Sequence, residues 1–172
     1  MTRGVYFDEM SLSRSTSCAA LLALLACGGS SGDTAVTTGG GGAAGASAGA
    51  CATDARAQTF SKGMEQPGAM SALRVRLLTI DPTPAFKGTN TWTIEVLDAA
   101  GAPISGAMVS VKPFMPDHGH GSSITPTVTE LGEGRYAIAS LVLFMPGLWE
   151  TTIAITAAAV ADSVVFSFCV AG

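Results

Sequence analysis

The chain of 172 residues carries a formal net charge of −4, with 13% charged and 48% hydrophobic residues. That length suits one domain of modest size rather than an enzyme with its own cofactor-binding domain. Lys and Arg are scattered singly and form no basic stripe, which argues against nucleic acid as a partner, and no apolar run reaches the roughly 18 to 20 residues of a spanning helix.

From Ser17 the chain reads SCAALLALLACGGS, an apolar run of about ten residues behind Arg14, the size of a signal-peptide h-region with its positive n-region. Asp8 and Glu9 suit an export signal poorly, which points to Met10 as the initiator. The end of the run, Leu24, Leu25, Ala26, Cys27, resembles the lipobox of bacterial lipoproteins. That resemblance implies a signal peptide over residues 1–26 and lipid on Cys27, whose several acyl chains would anchor the protein stably to a membrane. Gly28 in place of Asp implies transfer to the outer membrane, held at its periplasmic face or at the surface. Gly, Ala, Ser and Thr dominate the rest of 27–50, a composition that buries too little apolar area to offset ordering and predicts a flexible tether.

From Cys51 the pattern changes to short β-rich runs between turns. Leu73 to Ile80 sets Leu73, Val75 and Leu77 against Arg74 and Arg76, and Thr91 to Leu97 sets Trp92, Ile94 and Val96 against Thr93 and Glu95. Each alternation predicts a strand with one buried face. Asp98 to Pro103 predicts a turn, and Ala107 to Val111 a strand closed by Pro113. Ile124 to Glu130 and Arg135 to Leu141 flank LGEG, a reversal. Trp149 to Thr156 and Ser163 to Val170 complete seven strands in about 100 residues. Such spacing predicts an all-β, immunoglobulin-like β-sandwich over residues 51–172, with a closed barrel as the other arrangement of the same pattern. The alanine-rich stretch Ile155 to Ala161 is the one helix-like segment and is too short to form a layer.

Of four cysteines, Cys18 falls in the signal and Cys27 takes lipid, so Cys51 and Cys169 remain at the two ends of the folded domain. In an oxidising compartment a disulfide between them is expected. A thiolate metal site is the weaker reading, because neither has another ligand nearby in sequence.

The segment Lys112 to Ser122, KPFMPDHGHGS, holds both histidines of the chain, His118 and His120. Pro113 and Pro116 restrict its backbone and Gly119 and Gly121 free it, predicting a shaped loop between strands. Imidazole nitrogen with thioether sulfur suits copper, Cu(I) in particular. The candidate ligands are Met115, His118, His120 and Met145, with Asp117 placed to orient a histidine from behind. The competing reading gives the histidines a loop-shaping role and the methionines a place in the core. A three-histidine zinc centre is excluded for want of a third histidine. Glu130, Glu133 and Glu150 read as solvated charges, and no nucleophile with a base is evident, so the chain is not expected to be an enzyme.

MPDHGHG, the step Pro126 to Val128, GEGRY and LVLFMPGLWETTI together resemble the YtkA-like domain family of exported bacterial proteins, over roughly Phe60 to Val170. The resemblance implies an immunoglobulin-like sandwich in an exported or membrane-tethered protein, with some relatives close to copper handling. The expectation is a monomeric, envelope-anchored binding module that binds or transfers copper. The alternative is a structural or interaction domain whose loop contacts an envelope protein partner.

Overall fold

Alternation builds the two faces of the core. Val75, Leu77, Trp92, Ile94, Val96 and Ile138 are fully buried, while the residues between them along each strand turn outward. A computed structural model of the protein describes residues 51–158 and 160–172. The expected signal segment with Cys18, the expected lipid site at Cys27 and the expected tether over 27–50 lie outside the described residues.

The described strands are β1 (Met64–Pro67), β2 (Leu73–Asp81), β3 (Gly88–Asp98), β4 (Met108–Met115), β5 (His120–Gly121), β6 (Thr127–Gly132), β7 (Arg135–Leu143), β8 (Gly147–Ala157) and β9 (Val160–Val170). They form a five-stranded sheet in the order β1-β2-β3-β7-β6 and a four-stranded sheet in the order β5-β4-β8-β9, and every pair within them is antiparallel. The two sheets pack as an all-β sandwich around Trp92, Trp149, Tyr136 and Phe166. Trp92 meets Phe166 and Phe168 edge-on, at ring separations of 6.4 and 5.5 Å. The Tyr136 hydroxyl donates to the Ile104 carbonyl at 3.0 Å and accepts from the Ala107 amide at 2.9 Å, tying the crossover between the sheets to β7.

The described strands number nine rather than the expected seven, because β1 and β5 are too short to show an alternation. Pro113 does not close β4 but lies within it, opposite Thr151. A proline is tolerated there because β4 is nearly an edge strand, flanked by β5 only at Phe114 and Met115. The alanine-rich stretch is a hairpin pairing Ala157 with Val160, and Ala158 takes a left-handed φ of 50°. Cys51 and Cys169 form the expected disulfide, with Cα atoms 5.4 Å apart.

Candidate functional site

β4 carries Met115 to the end of the four-stranded sheet, where the chain must reverse. The amides of His118 and Gly119 both donate to the Met115 carbonyl, at 3.2 and 2.9 Å, and Gly119 supplies the left-handed φ of 69° that closes the turn. The returning strand β5 pairs His120 directly with Met115. Met115 is fully buried, His120 half-buried and His118 exposed, the two imidazoles lying 5.6 Å apart. Thus the segment expected to be a loop is a hairpin that sets its two histidines at different depths.

The second wall comes from the connection between β7 and β8. Phe144 stacks on the His120 ring at 5.4 Å and 21°, and the buried Trp149 meets Phe144 edge-on at 5.4 Å and 78°. The Trp149 Nε1–H donates to the Met145 carbonyl at 2.9 Å, and His120 contacts Met145. Gly147 approaches Met115 so closely that a Cβ there would lie 2.7 Å from the Met115 Cε. Met115, His120 and Met145 are therefore brought together, although 25 or more residues separate Met145 from the other two in sequence.

Among the described residues two buried side-chain polar atoms have no hydrogen-bond partner, Trp92 Nε1 and His120 Nδ1. They differ in what they can do. The indole N–H can only donate and sits among aromatic rings, whereas an imidazole nitrogen presents a lone pair when the proton is on Nε2. Leaving such an acceptor buried and unpaired costs about 1 to 3 kcal/mol. A native fold that accepts this cost directs attention to what could use the lone pair.

Asp117 and His118 are both exposed on the turn, and Asp117 meets Arg56. The Arg56 guanidinium binds Asp54 at 2.7 and 3.0 Å and reaches the Asp117 carboxylate at 2.9 Å. With the Arg56 amide, it holds the Asp54 carboxyl down to about 2. Asp117 is thus placed against Arg56. A cavity of about 200 Å³ lies here, lined by Cys51, Asp54, Asp117, His118, Pro146, Gly147 and Leu148. A second cavity of about 220 Å³, beside Phe60 and Phe168, involves none of the candidate ligands. No cluster of three or more His, Cys, Asp or Glu among the described residues is arranged to hold a metal. The donors brought together are imidazole and thioether instead. The sequence alone does not mark Arg56 or Phe144 as part of this site, and for Trp149 the signal is the MPGLW stretch.

The span from Met70 to Ala154 covers the whole of this hairpin and its aromatic wall. Residues 70–154 match the YtkA-like family. The YtkA-like region so defined includes Met115, His118, His120 and Met145, and leaves both bridged cysteines outside. Among solved structures the chain is similar to FetP from uropathogenic Escherichia coli at 13% identity, covering 63% of this chain and 98% of that one with a TM-score of 0.41. A copper-bound variant of FetP is similar at 11% identity, covering 62% of this chain and 92% of that one with a TM-score of 0.36. The comparison with curated proteins gives no match.

Proposed function

We propose that the protein is an envelope-anchored module that binds copper and passes it on, through His120, Met115 and Met145. The observation that carries this reading is the buried, unpartnered Nδ1 of His120, on the strand paired with Met115 and in contact with Met145. One imidazole and two thioethers make a soft donor set, which suits Cu(I) and offers little to Mg²⁺ or Ca²⁺. His118, exposed two residues earlier, is the first donor an incoming ion would meet. A site with few ligands, one of them on the surface, favours transfer over catalysis, and the reading includes no enzymatic step.

Lipid on Cys27, a tether over 27–50 and a domain over 51–172 would hold this module on the outer membrane. The disulfide supports an oxidising compartment outside the cytoplasm. The test is titration of the purified full chain with Cu(I) against a chromogenic chelator, beside His118→Ala and His120→Ala. One Cu(I) per chain is expected, lost in His120→Ala and weakened in His118→Ala. Equal binding by all three proteins would overturn the reading.

A further inference from the structure

Trp149 offers no ligand atom to a metal, yet two contacts refer both halves of the site to it. Its ring edge meets Phe144, which lies flat on His120, and its N–H holds the Met145 carbonyl at 2.9 Å. Trp149 itself is 1% exposed and fixed in the core of β8, whereas Phe144 is 41% exposed. A ring that exposed would sample several rotamers if nothing braced it. The indole therefore sets the plane of the imidazole through Phe144, and through Met145 the backbone of the Met145–Pro146–Gly147 corner. Gly147 at that corner is also the residue that packs on the Met115 methyl.

We propose that Trp149 is a positioning residue which, with Phe144, makes the His120 site selective for Cu(I) over Cu(II). This rests on the copper reading above. Cu(II) favours tetragonal nitrogen and oxygen ligation completed by water, whereas Cu(I) accepts a few soft donors. The Nδ1 of His120 is out of reach of water, and Phe144 covers one face of its ring. Held so, the imidazole and the thioethers can serve an ion that needs no water. Loosening the wall lets the ring turn and water enter, which favours Cu(II).

The experiment uses the purified full chain, wild type, Trp149→Phe and Phe144→Leu, with Kd measured separately for Cu(I) and Cu(II). Trp149→Phe keeps a buried ring and removes the N–H, and Phe144→Leu changes a ring that lies largely at the surface. Each is expected to weaken Cu(I) binding about 10- to 100-fold, the usual range for groups that orient a ligand. Cu(II) binding should fall less, so the midpoint potential of the bound copper drops. A purely structural role would lower Tm and leave the ratio of the two affinities unchanged, and that result in both variants overturns the inference. If Trp149→Phe fails to fold, Phe144→Leu decides alone. Retained selectivity in these variants alongside lost binding in His120→Ala would sink this inference only. Equal Cu(I) binding by wild type and His120→Ala would sink the copper reading and this one with it.

Discussion

Asp162 is the buried carboxylate among the described residues, and it shows how one side chain can hold a loop. Its oxygens accept from the amides of Met70, Ala72 and Leu73, at 2.9, 3.0 and 3.2 Å, and from Ser163 at 2.8 Å. The segment entering β2 is thereby fastened to β9. Gly68 lies so near that a Cβ there would collide with the carboxylate, so this approach requires glycine. Burial pushes the Asp162 pKa up, but the amides of Met70, Ser163, Ala72 and Leu73 outweigh it, and the net direction is down. A carboxyl with a lowered folded pKa stabilises fully above its unfolded value, near 3.8, and the contribution is lost as pH falls through the folded value. Asp162→Asn replaces an acceptor oxygen with a donor facing amide donors, and should cost about 2 to 3 kcal/mol in urea unfolding at neutral pH. The variant should also lose part of the wild type's decline in stability below about pH 4. A loss under about 0.5 kcal/mol would show that water satisfies these amides equally well. Nothing in the sequence marks Asp162, because a lone Asp after a turn reads as a solvated charge.

The elements divide by length in how far the sequence reveals them. β2, β3, β7, β8 and β9 run nine to eleven residues, long enough for alternation to mark both the strand and its buried face. β1 has four residues, three of them half-buried, and depends on its neighbours. Glu65, Arg76 and Glu95 stand opposite one another across β1, β2 and β3, and Arg76 bonds to both carboxylates. That ladder of charges is a property of the register, which composition does not display. β5 is two residues long and owes its place to the Met115–Gly119 turn. The candidate donors are legible as residue types, but their meeting depends on a β7–β8 corner that no spacing encodes. Gly147 is the hinge of that corner, with a φ of 137° and its face against the Met115 methyl. Gly147→Ala places a side chain in a backbone region that costs about 1 to 3 kcal/mol and pushes the end of Met115 aside. A fall of that size in denaturant stability is expected, accompanied by weaker Cu(I) binding. Unchanged stability would mean that β8 re-enters its sheet without the strain.

At the scale of the molecule, the first described residues are joined to the last strand, and the join is covalent. Cys51 and Cys169 are 118 residues apart in sequence, so their bond constrains nearly the whole unfolded domain. The chain-entropy relation assigns such a loop about 4 to 5 kcal/mol, an upper figure because folded-state strain is left out. Other contacts hold the same segment. The Gln58 amide donates to the Ser167 carbonyl at 2.7 Å, the Gln58 side chain accepts from the Ser167 amide at 3.0 Å, and Arg56 joins Asp54 to Asp117. The Arg56 pairs are exposed, and solvent-screened pairs of that kind contribute little to stability. They can keep residues 51–58 docked in the folded state but cannot replace the constraint on the unfolded one. Cys51→Ser combined with Cys169→Ser should therefore leave the β-sheet circular dichroism spectrum intact while lowering unfolding free energy by up to about 4 to 5 kcal/mol. The loss should appear in the unfolding midpoint, and the denaturant slope should rise as the uncrosslinked chain exposes more surface. A loss below about 1 kcal/mol with an unchanged slope would instead assign the closure of the sandwich to the Gln58 and Arg56 contacts.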